Sequence, residues 1–173
     1  IYNSKKIKSI ILLNYAPQLN EFLYWCQQLM AESLGKKGKG ILPVISTAPR
    51  DHHSLMQLYL DGPKDKLFYI FSLSLNKKIK INNNIFGKSL NFIKNKDLSN
   101  IILSQKKALI KVLKKKNIPF REFQINKTDE KTLGELFAYF FLETTLVGKF
   151  MGVNPFDQPA VEEVKNLTKQ YLV

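Results

Sequence analysis

The sequence has one cysteine and two arginines, and each shortage excludes a class of protein. Because Cys26 stands alone among 173 residues, no disulfide can form within the chain, and this composition is typical of a reducing cytoplasm. Cys26 lies in an apolar segment, which indicates a core thiol and not a nucleophile. Arg50 and Arg121 are the only arginines. Since bidentate contacts to bases and phosphates favour arginine over lysine, the sequence argues against a base-reading nucleic-acid-binding protein.

Long apolar runs and cofactor motifs are lacking too. No run approaches the roughly 18 apolar residues of a bilayer-spanning helix, so we expect no membrane partner. Lysines precede the first apolar run, as in a signal peptide, but that run leads into a patterned helix and not into a small-residue cleavage site. The sequence has neither Gly-x-Gly-x-x-Gly nor a Gly-Lys-Ser phosphate loop, and the adjacent His52 and His53 are a weak metal signal. We therefore expect no metal site and no nucleotide-binding loop.

Lysine is abundant and gives the chain a net charge of +13. The lysines are scattered along the chain, and 12 of the 25 fall in three groups: Lys36, Lys37 and Lys39; Lys77, Lys78 and Lys80; and Lys106, Lys107, Lys111 and Lys114 to Lys116. The third group is predicted to lie on the polar side of an amphipathic helix, as a solvated face. Such a charge is compatible with steering an anionic substrate. A basic nucleic-acid-binding domain is the alternative, and a steep salt dependence of duplex-DNA binding would distinguish it.

Predicted strands and helices alternate along the chain. Strands are predicted at 7–15, 40–46, 66–74 and 119–125, and helices at 16–36, 51–63, 98–117, 132–152 and 158–172. The polar, asparagine-rich residues 76–97 are predicted to form a loop or excursion. The helix at 132–152 is very apolar, and its two glutamates favour burial in the protein over a membrane. Crossover-length helices between strands predict an α/β three-layer sandwich, with a parallel central sheet and helices on both faces, as a single domain over 1–173.

Five polar side chains are candidates for a site that moves protons. Gln28 and Glu32 are four residues apart, so a helix places them on one face, and a Gly/Lys-rich segment suited to the flexible rim of a site follows Glu32. His53 begins a helix after a Pro-Arg-Asp loop. Gln158 and Lys165 are seven residues apart, about two turns on one face of a helix. A carboxylate, an imidazole and an amine form a workable acid/base set, although each is more often an ordinary surface group.

Three segments resemble motifs of the glucose-6-phosphate isomerase family, in the family's order. QQLMAESLGK at 27–36 resembles its Gln-Gln-x-x-Met-Glu-Ser-Asn-Gly-Lys segment, and PRDHHSLMQLYLDGP at 49–63 is similar to the bacterial form of its Gln-His-Ser segment. FDQPAVEEVK at 156–165 resembles its Phe-Asp-Gln-x-Gly-Val-Glu-x-x-Lys signature. The motifs span nearly the whole chain, but in the family's proteins they occupy only the C-terminal half. The resemblance implies a sugar-isomerase (SIS) domain, which is a flavodoxin-like parallel sheet between helices.

The resemblance also implies a role for each candidate. Glu32 matches the base that moves a proton between C1 and C2 of glucose 6-phosphate and fructose 6-phosphate through a cis-enediol. His53 matches a histidine that assists ring opening, and Lys165 the lysine near the ring oxygen. Gln28 and Gln158 match glutamines that contact the substrate, Gln158 near its phosphate. In the family the histidine comes from the partner subunit, which implies a homodimer. The reaction needs no metal or organic cofactor and belongs to cytoplasmic glycolysis and gluconeogenesis.

The chain departs from the family pattern without losing a proposed catalytic side chain. Ala31, Leu34, His52 and Ala160 stand where the family usually has Met, Asn, Gln and Gly. Leu34 could remove a hydrogen bond near Glu32. The family's N-terminal half carries a phosphate loop and an arginine that stabilises the enediol charge, and nothing in this sequence replaces them. We therefore expect the 173-residue chain alone to fold but to be a poor enzyme.

A non-catalytic sugar-phosphate-binding SIS module is the alternative within this fold. A protein that only binds its ligand needs no proton-transfer set, so the presence of Glu32, His53 and Lys165 together argues against it. Competition by a sugar phosphate would separate either SIS hypothesis from a nucleic-acid-binding domain.

Overall fold

Four parallel strands form one sheet, and helices connect them. The computed structural model describes residues 7–74, 79–80, 88–94 and 96–172. The strands are β1 (Ser9–Asn14), β2 (Leu42–Thr47), β3 (Lys66–Leu73) and β4 (Phe120–Ile125), in the spatial order β2-β1-β3-β4. The helices are α1 (Asn20–Leu34), α2 (Arg50–Ser54), α3 (Met56–Asp61), α4 (Leu98–Lys115), α5 (Glu130–Met151) and α6 (Pro159–Tyr171), with 3₁₀ turns at Pro17–Leu19 and Lys88–Ile93.

The two central strands are apolar on both sides, so the sheet is buried between two layers of helices. On one face, Leu12, Tyr69 and Phe71 belong to a core that includes Phe22 of α1 and Phe140 of α5. On the other face, a second core joins β1 and β3 to α3 and α4; its buried members include Ile11, Leu13, Phe68, Ile70, Tyr59, Leu109 and Leu113. The predicted α/β three-layer sandwich with a parallel central sheet is confirmed.

The order of the strands determines which edge of the sheet each helix end reaches. The order 2-1-3-4 is that of the first four strands of a flavodoxin-like sheet. Helix α1 begins just after β1 ends and returns to the start of β2, where Gln27 Nε2 donates to the carbonyl of Pro43. Helix α5 likewise follows the end of β4. The C-terminal ends of α1 and α5 therefore lie at the edge of the sheet where the strands begin, called here the amino edge.

Most predicted elements occur where the sequence placed them, and one is divided. The segment 51–63, predicted as a single helix, forms α2 and α3, which are separated by Leu55 (φ −119°, ψ −15°). The predicted loop at 76–97 lies partly outside the described residues. Its described part includes the 3₁₀ turn Lys88–Ile93 and an isolated bridge between Lys80 and Asp97.

Helix α5 is less buried than its sequence predicts. A stripe at helical spacing is buried, formed by Phe140, Thr144, Gly148 and Met151. Leu142 and Leu146, on other sides of the helix, are 58% and 53% exposed. The prediction of a buried helix is thus wrong for much of its surface, because one stripe suffices to cover the sheet. None of the helices within the described residues is long and apolar enough to cross a membrane.

The predicted position of Lys106 is also wrong. The sequence placed it on the solvated side of α4, but its side chain is buried, and Nζ lies 3.0 Å from Ser72 Oγ and 2.5 Å from Glu122 Oε1. Ser72 and Glu122 lie on the neighbouring strands β3 and β4. The lysine therefore joins α4 to the sheet. Cys26, in contrast, is fully buried in α1, which confirms the predicted core thiol.

Two glycines in and after α5 provide a test of backbone geometry. Gly152 ends the helix with φ +68°, and its N–H donates to the carbonyl of Lys149. Gly134 lies within the helix, and a Cβ there would meet open space. We expect Gly152→Ala to lower the free energy of unfolding by about 1 kcal/mol, because alanine is strained at that φ. Gly134→Ala should raise it by about 0.5–1 kcal/mol. Urea denaturation of the two variants measures both changes. If both variants were less stable, Gly134 could not lie at an ordinary helical position with open space around it.

Candidate active site

A cleft of about 440 Å³ lies at the amino edge of the sheet. One wall is the last turn of α1 and the lysines after it, including Glu32 and Lys36. The other wall is formed by Asn154 and 157–161, which connect α5 to α6 and begin α6. Both walls meet here because α1 and α5 end at the same edge of the sheet. Two segments more than a hundred residues apart in sequence therefore share one opening.

The carboxylate of Glu32 is held on both oxygens by glutamine side chains. Gln28 Nε2 donates to Oε1 at 3.0 Å, as the four-residue spacing on α1 predicts. Gln158 Nε2, from the other wall, donates to Oε2 at 2.6 Å. An ionised carboxylate only accepts hydrogen bonds, so both amides must present their NH₂ groups to it. The arrangement fixes the orientation of a carboxylate that remains partly open to solvent.

His53 lies far from this carboxylate within the chain. It is exposed on α2, which directly follows β2 and so lies at the carboxyl edge of the sheet. Glu32 is twelve residues after the start of α1, or about 18 Å along the helix axis towards the amino edge. The structure therefore brings together Gln28, Glu32 and Gln158 but not His53.

Lys165 lies on the exposed surface of α6. Its Nζ is 2.8 Å from Oε1 of Glu162, one turn earlier, and its side chain is 58% exposed. Among the described residues that line the cleft, Lys165 does not occur. The two-turn spacing from Gln158 thus does not bring Lys165 into the lining of the cleft within this chain.

Helix α2 is fixed to the sheet by Asp51 and His52, the two residues that precede His53. The buried Asp51 accepts hydrogen bonds from Ser46 Oγ and the Thr47 N–H. Burial alone would raise the pKa of this carboxyl, but these hydrogen bonds and those from two neighbouring side chains lower it to about 2. His52 Nε2 lies 2.6 Å from the Tyr15 hydroxyl, and burial lowers the pKa of the imidazole. These contacts orient the short helix that carries His53.

Sequence reasoning missed Lys36 and Asp157, whose side chains form an ion pair across the cleft at 2.9 Å. The Gly/Lys segment was predicted to be a flexible rim. It does line the cleft, but Lys36 and Lys39 also bind backbone carbonyls near the end of α5. Asn154 begins a turn, in which its Oδ1 accepts from the N–H of Phe156, and asparagine and proline are typical turn residues. No spacing rule, however, links that turn to a lysine after α1.

Two of the departures from the family pattern have clear structural surroundings. Leu34 is buried with Met151 and Val153, where it joins the ends of α1 and α5. Ala160 lies in the first turn of α6 and lines the cleft. Within the part of the chain that is described, no group of three or more His, Cys, Asp or Glu side chains could hold a metal ion.

Curated proteins similar to this chain include glucose-6-phosphate isomerases. The chain is 35% identical over 172 residues to the probable glucose-6-phosphate isomerase of Methanococcus maripaludis, covering 99% of this chain and 38% of that protein. It is 33% identical over 168 residues to the glucose-6-phosphate isomerase of Methanocaldococcus jannaschii, covering 96% and 41%. The chain thus spans about two fifths of the length of these relatives. No model of a known protein family matches the sequence.

Solved structures agree with the fold. A hypothetical protein from Thermus thermophilus superposes with a TM-score of 0.88 at 25% identity, over 96% of this chain and 42% of that one. A glucose-6-phosphate isomerase from Chlamydia trachomatis superposes with a TM-score of 0.74 at 18% identity, over 96% and 35%, which shows the fold alone. The resemblance identified from the three motifs is therefore confirmed by relatives that match almost the entire chain.

Proposed function

We propose that the polypeptide to which this sequence belongs interconverts D-glucose 6-phosphate and D-fructose 6-phosphate. The observation that carries the proposal is the Glu32 carboxylate, oriented by two glutamines at the rim of a cleft, in a chain whose curated relatives are named glucose-6-phosphate isomerase. Within that activity the chain supplies one SIS-type domain over 1–173. The process is glycolysis and gluconeogenesis in the cytoplasm.

In the proposed reaction Glu32 is the base. Its carboxylate takes the proton from C2 of the open-chain aldose while O1 takes up a proton, which gives the cis-enediol. The carboxyl group then returns its proton to C1 as the O2 hydroxyl gives up its own proton, and the reverse reaction exchanges the two positions. Gln28 and Gln158 contact the substrate, with Gln158 at the N-terminus of α6, where backbone N–H groups favour a phosphate. The substrate must displace or share the amide of Gln158, because that amide already binds Glu32.

His53 and Lys165 are proposed to assist ring opening. The placement of His53 at the opposite edge of the sheet from Glu32 supports a homodimer in which His53 serves the site of a second copy. Lys165 needs movement of α6 or a substrate to come near the ring oxygen, since its ammonium is engaged with Glu162. Such movement is compatible with α6, in which no side chain is buried.

The remainder of the longer polypeptide is proposed to complete the site. Gln28, Glu32 and Gln158 form walls of an open cleft, and the proposed phosphate loop and arginine lie outside this sequence. Charge stabilisation weakens in an open, hydrated site. Helices α5 and α6 expose apolar side chains, including Leu142, Leu146 and Val164, and this surface supports contact with a further domain.

The test is a coupled isomerase assay on the complete polypeptide and on the 173-residue chain by itself. We expect the complete polypeptide to convert each sugar phosphate into the other, and the shorter chain to unfold cooperatively but to give background turnover. Absence of turnover by the complete polypeptide would contradict the proposed reaction. Substantial turnover by the 173-residue chain would contradict the need for a second domain. The non-catalytic SIS module is not favoured, because the curated relatives are named as isomerases.

A further inference from the structure

Lys36 occupies an enclosed position between the two walls of the cleft. Its side chain is only 8% exposed, and its Nζ lies 2.9 Å from Oδ1 of Asp157. The same ammonium donates to the backbone carbonyl of Asn154. Asn154 Nδ2 in turn donates to Oδ2 of Asp157 at 3.0 Å. Lys36, Asn154 and Asp157 thus form a closed set of contacts, called here the Lys36 clamp.

The clamp ends at Asp157, directly before Gln158, and the packing of α6 does little to hold that residue. Gln158 is the N-cap residue of α6, and its side chain makes no capping hydrogen bond to the helix. No side chain of α6 is buried among the residues that the structure describes, so packing against the core does not fix the helix. Gln158 nevertheless lies 2.6 Å from Glu32. The segment that precedes Gln158 is itself held by side-chain contacts, and these contribute to placing Gln158 there.

That segment is attached to the core at two levels. Val153 and Met151 are buried with Leu34, which fixes the end of α5 against the end of α1. Lys39 Nζ also donates to the carbonyl of Met151 at 2.6 Å. Beyond Val153 the chain turns towards solvent, with Asp157 and Gln158 exposed. The Lys36 clamp is a polar attachment between the buried cluster and Gln158, in a segment where Pro155 also packs beside Gly148.

We propose that Lys36 is a positioning residue, which holds the Asn154–Asp157 turn so that the Gln158 amide reaches the Glu32 carboxylate. The inference rests on the proposed function, in which Glu32 is the base and Gln158 contacts the substrate. In this role Lys36 acts through the turn and Gln158, and its ammonium is engaged by Asp157 and the Asn154 carbonyl. A lysine suits this role, because one ammonium provides three donors and can bind a carbonyl and a carboxylate at once.

The first measurement follows the side-chain amide of Gln158 by NMR in the complete polypeptide with selectively labelled glutamine. With Lys36 present, Glu32→Gln should shift the Gln158 amide signal, because the two side chains are in contact. In a Lys36→Met background the same substitution should leave the signal unshifted. Asp157→Asn should weaken the response in the same direction while keeping the shape of the side chain. Lys107→Met, which removes an exposed lysine of α4, is the control and should preserve the response.

The result that overturns the proposal is a Gln158 signal that responds equally to Glu32→Gln with and without Lys36. This measurement needs no turnover, so it remains decisive if the complete polypeptide is not an isomerase. In that event the proposed function fails, while the spectra still show whether Lys36 positions Gln158.

The second measurement is a double-mutant cycle in kcat/KM. Lys36→Met should lower kcat/KM by about tenfold or more when Gln158 is present. In a Gln158→Ala background the same substitution should change kcat/KM less than about twofold, because no amide remains to be positioned. A general structural role would lower kcat/KM by the same factor in both backgrounds, and that outcome would overturn the proposal. Lys107→Met should leave kcat/KM unchanged in each background.

Discussion

Replacing Glu32 with glutamine is expected to lower proton exchange at C2 of the sugar phosphate by roughly 10²-fold or more, because an amide cannot accept the proton. The fold should survive the change. Gln28 and Gln158 both donate to the carboxylate, whereas an amide offers one oxygen and one NH₂ group. One of the two neighbours can rotate its own amide and present oxygen to that NH₂, so both contacts can be kept.

The measurement is incorporation of solvent deuterium into substrate by the complete polypeptide. Glu21→Gln is a matched control, because Glu21 is an exposed glutamate in the first turn of the same helix, at its other end. It should leave exchange unchanged. Exchange near the unsubstituted rate in Glu32→Gln would refute the assignment of Glu32 as the base. Thermal unfolding of both variants should agree with that of the unsubstituted protein, which separates lost chemistry from a lost fold.

The sheet and its order of elements could be predicted because strands buried on both faces leave a local signal. Residues 9–14 and 66–73 read as nearly continuous apolar runs, and both are central strands. Pro17 and Gly35 also marked the ends of the helix predicted at 16–36. Helix α1 begins and ends within a few residues of them. These features depend on neighbours in sequence, so the sequence alone reveals them.

Features that depend on distant partners could not be predicted in the same way. The position of Lys106 on α4 predicted a solvent-exposed side chain. The side chain is buried instead, and its ammonium contacts Ser72 and Glu122 on two neighbouring strands. The division between α2 and α3 at Leu55 is likewise not marked in the apolar pattern of residues 51–63. At Lys106, contacts with distant residues outweigh helix periodicity.

The candidate site shows the same division. Gln28 and Glu32 were paired correctly, since a helix sets their distance. Gln158 is 126 residues from Glu32, and only the family resemblance connected the two before their contact was seen. The position of His53 needs the path of the chain through the sheet. Because β2 runs from one edge to the other, Glu32 before it and His53 after it lie at opposite edges.

Two adjacent phenylalanines in α5 should respond very differently to truncation. Phe140 is fully buried. The centroid of its ring lies 5.2–6.2 Å from the centroids of five other aromatic rings, those of Phe22, Tyr69, Phe71, Phe123 and Tyr139. Phe140→Ala would leave a cavity where α1, α5 and the sheet meet, and we expect it to lower the free energy of unfolding by about 3–5 kcal/mol.

Phe141→Ala is the matched control, since it removes the same atoms from the next residue. Phe141 is 45% exposed, so its replacement should cost less than about 1 kcal/mol in urea denaturation of the 173-residue chain. The contrast follows from the narrow buried stripe on α5, because neighbouring helical positions point about 100° apart. If both variants lost equal stability, the exposed side of α5 would have to be covered in the folded chain, for instance by a second copy. A concentration-dependent midpoint for the unsubstituted chain but not for Phe141→Ala would then identify that cover as self-association.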